Sequence, residues 1–392
     1  MREDWEYKKL EDISSSLLIE KAKKRFSPND VIRYIDISSI DNINQCLTGT
    51  TSFKMLDAPS RAQQKVEYGD ILISTVRPNL RNIAIVNNDA SNLVASSGFC
   101  VLRINDAALR RYIFYYVLSN KFTAYLEKLT NGANYPAVKE TDVRKAFIPI
   151  PPKSTQLSIV SELDKLNELI RIKKEQLKDY DTLAQSIFYE MFGDPVENEK
   201  GWEVKKLMEV CEITSSKRVF ANEYVDTGIP FYRSKEVIEK SKQQPISVEL
   251  YISESHYNSI KCNFGIPQIG DILITAVGTI GRIWVVDTNE PFYFKDGNLV
   301  WLRNIKDVHY EYFSKSLFYL IDEYKKVNAN GAAYNALTIA KLKQMYCPLP
   351  PLPLQHSFAQ KIEQIEQQKA AIQKTITDLE TLLAARMQYW FD

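Results

Sequence analysis

STQLSIVSELDKLNELIRIKKEQLKDYDTLAQSIFYEMF (residues 154–192) decides the architecture of this chain, because its apolar residues recur at alternating steps of four and three. The positions are Ile159, Leu163, Leu166, Ile170, Leu177, Tyr180, Ala184, Ile187 and Met191, and Lys173 interrupts the series. A 3.5-residue repeat held this long is typical of a coiled-coil helix. A helix of about 36 residues is about 54 Å long. Pro151-Pro152 lie just before it, where proline is tolerated, and Ser154 is a candidate cap.

A second series lies 199 residues further on. It comprises Phe358, Ile362, Ile365, Ile372, Ile376, Leu379, Leu383 and Trp390, with Lys369 and Arg386 as the exceptions. Two such helices in one chain are expected to pair with each other, and an antiparallel, pseudo-twofold pairing is the simplest closed arrangement. The alternative is two amphipathic helices packed separately, each on its own domain.

The rest of the chain is also written twice. Four segments recur in the same order: Trp5–Leu10 as Trp202–Leu207, Gly69–Ile73 as Gly270–Ile274, Asn131–Tyr135 as Asn330–Tyr334, and Pro149–Pro152 with Gln156 as Pro348–Pro351 with Gln355. The shifts are 202 − 5 = 197, 270 − 69 = 201, 330 − 131 = 199 and 348 − 149 = 199. Matches in order at a nearly constant shift indicate an internal duplication.

Each copy begins with short runs that are typical of strands. VIRYIDIS (31–38), GDILIST (69–75), NIAIV (82–86) and FCVLRI (99–104) in the first copy are matched by GDILITAV (270–277), RIWVV (282–286) and NLVWLRN (298–304). Segments 108–129 and 310–327 have helical spacing. The fold class is therefore α+β: two similar globular domains, 1–152 and 198–351, with a long helix and linker over 153–197 and a long helix over 352–392.

Composition limits the class of protein. In 392 residues, 45% are hydrophobic and 25% charged, and 50 Lys and Arg against 49 Asp and Glu leave a net charge of +1. These values are typical of a soluble globular protein and neither indicate nor exclude a nucleic-acid partner, since phosphates respond to local charge. The five scattered cysteines, a charged start and no long apolar run predict a cytoplasmic protein with no membrane contact.

Signals for catalysis are weak. His256, His309 and His356 are scattered without Cys or Asp at ligand spacing, so no metal site is expected. The chain has neither a GxxxxGK[ST] phosphate loop nor the glycine-rich and Pro-Pro-aromatic motifs of a base methyltransferase. A nuclease carboxylate cluster stays open because acidic residues abound. The sequence therefore predicts no cofactor and no enzyme activity for this chain alone.

The ordered motifs resemble those of the specificity subunits of type I DNA restriction-modification systems, over nearly the whole chain. They are Trp-x-x-x-x-Leu, a Gly-Asp-Ile-Leu strand, a Gly-Asn-Tyr segment, and Pro-x-Pro-Pro-x-x-x-Gln before a long helix, all twice. The second copy fits best over 270–282, whereas the first has Ser74–Arg81 in place of the glycine turn.

The resemblance implies that the globular domains are target-recognition domains for the two halves of a bipartite site in double-stranded DNA. It also implies that the helices hold two methyltransferase subunits, and that cleavage requires restriction subunits that translocate DNA using ATP. Two alternatives remain open: the recognition subunit of a related methyltransferase–nuclease without an ATP-driven motor, and a coiled-coil scaffold that does not bind DNA.

Phosphate contacts need local positive charge. The densest basic run, Lys21, Lys23, Lys24 and Arg25, precedes the first strong strand, and Lys217 and Arg218 occupy the comparable place in the second copy. The alternative interpretation is a solvated surface loop.

Base recognition needs forked groups: arginine for guanine, Asn and Gln for adenine. Arg77, Asn79 and Arg81 lie on a proline-containing turn, although Arg77 or Arg81 in an ion pair with an acid would only fix the loop. The matching loop Val277–Arg282 offers Arg282 and glycines that suit either close backbone approach to DNA or a tight hairpin. Further candidates are Asn134, Tyr135, Tyr334 and Asn335, which equally suit a hinge, and Arg233 and Lys235, which follow a strand.

Overall fold

A computed structural model describes residues 5–15, 19–130, 136–328 and 336–392. The chain divides into two compact units, one of residues 1–175 with 373–392 and the other of residues 176–372. Each long helix therefore contributes one half to each unit.

The described residues of the first unit include eleven short strands. They are β1 (Glu6–Lys9), β2 (Val31–Ile35), β3 (Ile40–Asp41), β4 (Cys46–Leu47), β5 (Thr51–Lys54), β6 (Ala62–Lys65), β7 (Ile71–Ser74), β8 (Ile83–Ile85), β9 (Leu93–Ser96), β10 (Phe99–Leu102) and β11 (Phe147–Ile150). The helices are α1 (Leu10–Ile13), α2 (Ala22–Arg25), α3 (Ala107–Val117), α4 (Asn120–Lys128), α5 (Glu140–Arg144) and the long α6 (Lys153–Phe192).

Two sheets carry the first unit. One has the strand order β5-β2-β9-β6 and the other β10-β7-β8, and β9 and β10 are joined by the turn at residues 97–98. All pairs in these sheets are antiparallel except β2 with β9. A mixed sheet and an antiparallel sheet, together with helices, confirm the α+β class.

The second unit follows the same plan. Its strands are β12 (Glu203–Lys206), β13 (Glu212–Thr214), β14 (Tyr224–Val225), β15 (Ile229–Tyr232), β16 (Tyr251–Ile252), β17 (Ile272–Thr275), β18 (Ile283–Val285), β19 (Tyr293–Phe294), β20 (Leu299–Arg303) and β21 (Tyr346–Leu349). Its helices are α7 (Leu207–Val210), α8 (Ser234–Ser241), α9 (Glu254–Phe264), α10 (Tyr310–Val327), α11 (Ile339–Gln344) and the long α12 (Leu352–Phe391). The sheets have orders β13-β20-β17-β18 and β14-β16-β15-β19.

The repeated Trp-x-x-x-x-Leu segment is a strand that closes each copy on itself. β1 pairs antiparallel with β11, placing Glu6 opposite Ile150, and β12 pairs with β21 in the equivalent register, Glu203 opposite Leu349. The last strand of each copy thus leads directly into a long helix beside the strand that began the copy.

The glutamine of the Pro-x-Pro-Pro-x-x-x-Gln motif explains how each long helix starts. Gln156 Nε2 donates to the carbonyl of Pro151 at 2.8 Å, and Gln355 Nε2 donates to that of Pro350 at 2.6 Å. Both side chains are buried. The first helix begins at Lys153, so Ser154 lies inside its first turn and is not its cap.

Within the first unit the two long helices are antiparallel. Glu162 accepts hydrogen bonds from Arg386 and from Trp390 Nε1, while Lys174, further along the first helix, pairs with the earlier Glu380 at 2.8 Å. The polar Arg386, an exception in the apolar series, therefore has a carboxylate partner on the other helix.

Within the second unit the pairing is also antiparallel. Lys369 pairs with Asp181 at 2.9 Å, and the rings of Phe192 and Phe358 lie 5.2 Å apart. All positions of both predicted series, including Lys173, Lys369 and Arg386, are buried or half-buried. The antiparallel coiled-coil prediction is confirmed, with 40 residues in each helix.

One helix prediction was wrong in extent. Segment 108–129 is two helices, α3 and α4, because the hydroxyl of Ser119 accepts from Phe122 N at 3.2 Å and caps a new helix. In the part of the chain that the structure describes, no helix combines the length and apolarity that a membrane crossing requires.

Candidate nucleic-acid interfaces

The Gly-Asp-Ile-Leu motif forms the same turn in both copies. Gly69 and Gly270 both have φ of 89°, a left-handed conformation that favours glycine. Their N–H groups donate to Val86 O at 2.8 Å and to Val286 O at 2.9 Å. A Cβ on Gly69 would also lie 1.8 Å from the guanidinium of Arg110. The glycines are therefore structural.

The aspartate of this motif is buried in both copies but has different partners. Arg103 donates from Nε to Asp70 Oδ1 at 2.9 Å and from a terminal nitrogen to Oδ2 at 2.7 Å. Asp271 instead accepts from Trp301 Nε1 at 2.9 Å, and burial raises its pKa. In both copies, the carboxylate precedes the central strand of the sheet, β7 or β17. It accepts a hydrogen bond from a side chain in, or directly after, the neighbouring strand, β20 or β10.

At the far end of the central strand, β7, four segments of the first unit converge. Thr75 N donates to Gly98 O at 2.9 Å, and Val138 N donates to Thr75 O at 2.9 Å. Ser97 N, in the same turn as Gly98, donates to Arg61 O at 2.8 Å. Arg61 is exposed and was missed by the sequence reasoning, although it follows a Pro-Ser turn.

The predicted basic run lies next to this end. Lys21, Lys23, Lys24 and Arg25 are all exposed, and the last three are on α2. Lys21 forms a β-bridge with Gln64 of β6, while the buried Ala22 anchors the helix. The side chain of Gln64 donates to Ser96 O and Phe99 O, which holds the β9–β10 turn.

The loop between β7 and β8 holds three further predicted residues. Arg77 and Arg81 have φ of 48° and 50° and flank a short 3-10 helix, Pro78–Leu80. Arg77 and Asn79 are exposed. Arg81 is half-buried, and it donates to Leu118 O at 3.2 Å and Asn120 Oδ1 at 2.6 Å. Arg81 thus fixes the loop, as the alternative interpretation of the sequence expected. Its partners, however, are the carbonyl of Leu118 and the amide oxygen of Asn120, and not a carboxylate.

The corresponding end of the second unit is an open cleft of about 450 Å³. Ala276 N donates to Asn298 O at 2.8 Å and Leu337 N to Ala276 O at 3.0 Å, as in the first unit. Ser215, Ser216 and Asp296 contribute polar groups to the lining.

Lys217 and Arg218 are placed beside this cleft. Arg218 Nε donates to Asp296 Oδ2 at 2.7 Å. The backbone N–H of Lys217 donates to the hydroxyl of Tyr293 at 2.7 Å, and its ammonium lies 5.0 Å from the ring centre of Phe264. The two cations therefore flank a recess in which a carboxylate is already present.

Arg233 and Lys235 are held in an ion-pair network. Both donate to Glu249 at 2.8 Å, and Arg233 also donates to the buried Glu236 at 3.0 Å. Hydrogen bonds from Lys235 and Arg233 lower the pKa of Glu249 to about 2. Their charge is largely balanced inside the domain, which weakens them as phosphate ligands.

The two glycines in loop 277–282 of the second unit have different roles. Gly281 has φ of 80°, and a Cβ there would lie 2.7 Å from Ile321, so packing against α10 requires glycine. Gly278 has φ of 74° but open space around it. Arg282 is exposed at the end of the loop. Asn134, Tyr135, Tyr334 and Asn335 lie outside the described residues.

Comparison with known proteins gives the family. A model described as "Type I restriction modification DNA specificity domain" matches residues 2–179 and again 199–381. A putative type I restriction enzyme specificity subunit of Haemophilus influenzae is 29% identical over 261 residues, covering 65% of this chain and 64% of that protein. The MjaIX specificity subunit of Methanocaldococcus jannaschii is 24% identical over 339 residues, covering 80% and 74%.

A solved structure agrees with this. A chain from work on complex assembly and conformational transition of the type I restriction-modification system is 27% identical, with a TM-score of 0.64 over 98% of this chain and 96% of that one. The matches span 64% and 41% of the length of the first two curated relatives. The family model, however, covers both copies of the repeat, and so the chain belongs to the type I restriction-modification DNA specificity family, whose specificity domain it contains twice.

Proposed function

We propose that this chain reads a bipartite site in double-stranded DNA, with residues 1–152 recognising one half and residues 198–351 the other. The helical segments 153–197 and 352–392 then carry the partner subunits. We further propose that the chain itself is not catalytic and acts in the cytoplasm, as the specificity subunit of a complex that modifies and cleaves DNA.

The proposal rests on one observation. The two copies have the same strand framework, but the loops that follow their central strands, β7 and β17, differ. The strand turn, the buried aspartate and the bonds at Thr75 and Ala276 are repeated. The loop that follows is Val76–Asn82 with two arginines in one copy, and Val277–Gly281 with two glycines in the other. A conserved frame with divergent loops is what two readers of different base sequences require.

Phosphate binding is assigned to the exposed basic groups. Lys23, Lys24 and Arg25 on α2, with Arg61 beside them, present positive charge without amide groups that read bases. Each phosphate contact removed should lower the slope of log K against log salt by about 0.9. Lys24→Ala should therefore weaken binding to all duplexes alike.

The partners follow from the family. We propose two methyltransferase subunits, one for each half of the repeat, and restriction subunits that translocate DNA. The similar structure concerns complex assembly of such a system, which supports this assignment. A related methyltransferase–nuclease without a motor is the second candidate, and a neighbouring gene for a helicase-nuclease would distinguish the two.

The test is an exchange of the first domain. Residues 1–152 are replaced by the corresponding domain of another family member, the protein is produced with its methyltransferase, and methylated bases are mapped across the genome. One half of the modified motif should change and the other should stay. A motif that keeps both halves, or a native complex that binds no duplex, contradicts the proposal and favours a scaffold.

A further inference from the structure

Two loops of the first unit lie side by side and were not connected by any sequence signal. The loop between β3 and β4 contains Asn42, Ile43 and Asn44, and the loop between β7 and β8 contains Asn79 and Leu80. Asn42 Nδ2 donates to Leu80 O at 2.9 Å, which joins them across 38 positions of sequence. We call these two loops, 41–46 and 75–82, the loop pair.

The first loop is held from within. The carboxylate of Asp41 accepts from Ile43 N at 2.8 Å, Asn44 N at 3.0 Å and Asn44 Nδ2 at 2.6 Å. Hydrogen bonds from Asn44, followed by that from Ile43, lower the pKa of Asp41, so the carboxylate stays ionised and keeps these bonds. Gln45, with φ of 54°, closes the turn by donating from Nε2 to Asn42 O.

The second loop is fixed in a comparable way. Arg77 and Arg81 adopt left-handed backbone conformations that are costly for residues with a Cβ. The guanidinium of Arg81 secures one end through Leu118 and Asn120, and the N–H of Arg77 secures the other by donating to Pro136 O at 2.8 Å. Backbone strain of this kind persists where the surrounding structure enforces it, and it is frequent at functional sites.

The side chains that the loop pair presents are apolar and amide groups. Ile43 is 80% exposed and Leu80 41% exposed, and neither belongs to a core cluster. Asn44 and Asn79 are exposed beside them, and so is Arg77. A single exposed isoleucine means little. The amide of Asn44 is already bonded to Asp41, so the groups that could read bases are the isoleucine, the leucine, the Asn79 amide and the arginine.

Each of these groups has a partner in the major groove. Aliphatic side chains contact the 5-methyl group of thymine, asparagine matches adenine, and arginine matches guanine. We propose that the loop pair is the base-reading surface of the first domain and that Ile43 contacts a thymine methyl in its half-site. This inference rests on the proposed DNA-reading function and names the residues that perform it.

Other contacts in the first unit support separate surfaces for phosphate binding and for base reading. Arg61 connects to the loop pair through backbone hydrogen bonds, because Ser97 N donates to Arg61 O and Thr75 N donates to Gly98 O. Lys21, the residue before α2, forms a bridge with Gln64 of β6. A cation that suits phosphates and an amide that suits bases thus lie at the same end of the sheets. The second unit has glycines in the loop at this position, so its reading surface differs.

The experiment uses the full chain in complex with its methyltransferase subunits and a duplex carrying the motif mapped for that complex. Each thymine in the first half-site is replaced in turn by deoxyuridine, which removes only the 5-methyl group. At one position, replacing thymine by deoxyuridine should lower the affinity of the wild-type complex about fourfold. This corresponds to the free energy of burying one methyl-sized group. Ile43→Ala should bind the thymine and deoxyuridine duplexes equally.

The matched control is Leu56→Ala. Leu56 is 74% exposed in the same unit but lies outside the loop pair, so this substitution removes a similar exposed apolar group. It should keep the sensitivity to deoxyuridine. Asn79→Ala should relax the mapped methylation motif at one base pair of the first half-site and leave the second half-site unchanged.

Several results would overturn the inference. One is an Ile43→Ala complex that keeps the full response to deoxyuridine, and another is a Leu56→Ala complex that loses it. Loss of methyltransferase from the Ile43→Ala complex, with an unchanged motif, would assign the loop pair to a protein contact instead. If the wild-type complex binds no duplex, the proposed function fails as well; if it binds and only the variants behave otherwise, this inference alone fails.

Discussion

Asp70 and Asp271 occupy the same place in the two copies, yet their substitution by asparagine should have unequal effects on stability. Both oxygens of Asp70 are acceptors, because Oδ1 and Oδ2 each accept a hydrogen bond from the guanidinium group of Arg103. An asparagine would turn an NH₂ group toward one of these donors and remove the charge that balances Arg103. The side chain of Asp70 is only 2% exposed, so we expect Asp70→Asn to cost about 3 kcal/mol.

Asp271 has a different arrangement. Trp301 Nε1 and the backbone N–H of Gln268 both donate to the same oxygen, Oδ2, at 2.9 Å. An asparagine oxygen in that position keeps both bonds. Burial raises the pKa of Asp271 above its ordinary value of 3.8, so the fold favours the neutral carboxyl, and stability is lost as pH rises through the folded pKa. Asp271→Asn should therefore change the free energy of unfolding by less than about 1 kcal/mol at pH 7.

Hydrogen exchange measured by mass spectrometry separates the two units. Amides of β7 should exchange about 100-fold faster in Asp70→Asn, while amides of β17 should be nearly unaffected in Asp271→Asn. The stability of Asp271→Asn relative to wild type should also improve from pH 4 to pH 7. If amide exchange accelerates equally in the two variants, the conclusion that only Asp70 depends on its charge for its hydrogen bonds is refuted.

Three further predictions concern the framework. Phe188→Ala should destabilise the second unit by about 3–5 kcal/mol, because this buried ring contacts Tyr312 and Phe358, whereas Leu183→Ala on the exposed side of the same helix should cost little in a denaturant titration. Gly281→Ala should cost more than Gly278→Ala in thermal unfolding, since both require positive φ but only Gly281 meets Ile321; equal losses would rule out the packing role. Seven residues inserted in each long helix, after 175 and after 372, add about 10.5 Å. Motif mapping should then show an unread spacer about three base pairs longer, and an unchanged spacer would show that the helices do not set it.

The sequence was most informative where periodicity and repetition reflect the fold directly. The two apolar series and their antiparallel pairing were predictable, because burial along a helix imposes a regular spacing. The break at Ser119 was not, since helical spacing continues across it and only the local capping bond shows the interruption. β9 (Leu93–Ser96) was also missed, since its apolar run, Leu93–Ala95, is only three residues long although turn residues flank it.

The candidate site was only partly predictable, because its key contacts join residues distant in sequence. The exposure of Lys23, Lys24 and Arg77 agrees with the expectation. The engagement of Arg233 and Lys235 by Glu249, and of Arg81 by Leu118 and Asn120, depends on tertiary neighbours that the sequence does not reveal.

The contact between Asn42 and Leu80 is of the same kind. An amide-rich run such as Asn42–Gln45 is a usable signal only when the neighbouring loop is known. Whether the predicted residues contact DNA stays a prediction.

A chain with two identical domains gives the most direct test of one domain reading one half-site. Residues 198–351 are replaced by a second copy of residues 1–152, with both long helices kept, and the bases methylated by the complex are mapped. The sequence repeat and the antiparallel helix pairing predict two equivalent readers related by a twofold axis, and such readers recognise an inverted repeat. The modified motif should be a palindrome built from the native first half-site. A motif that still contains the native second half-site would contradict the assignment.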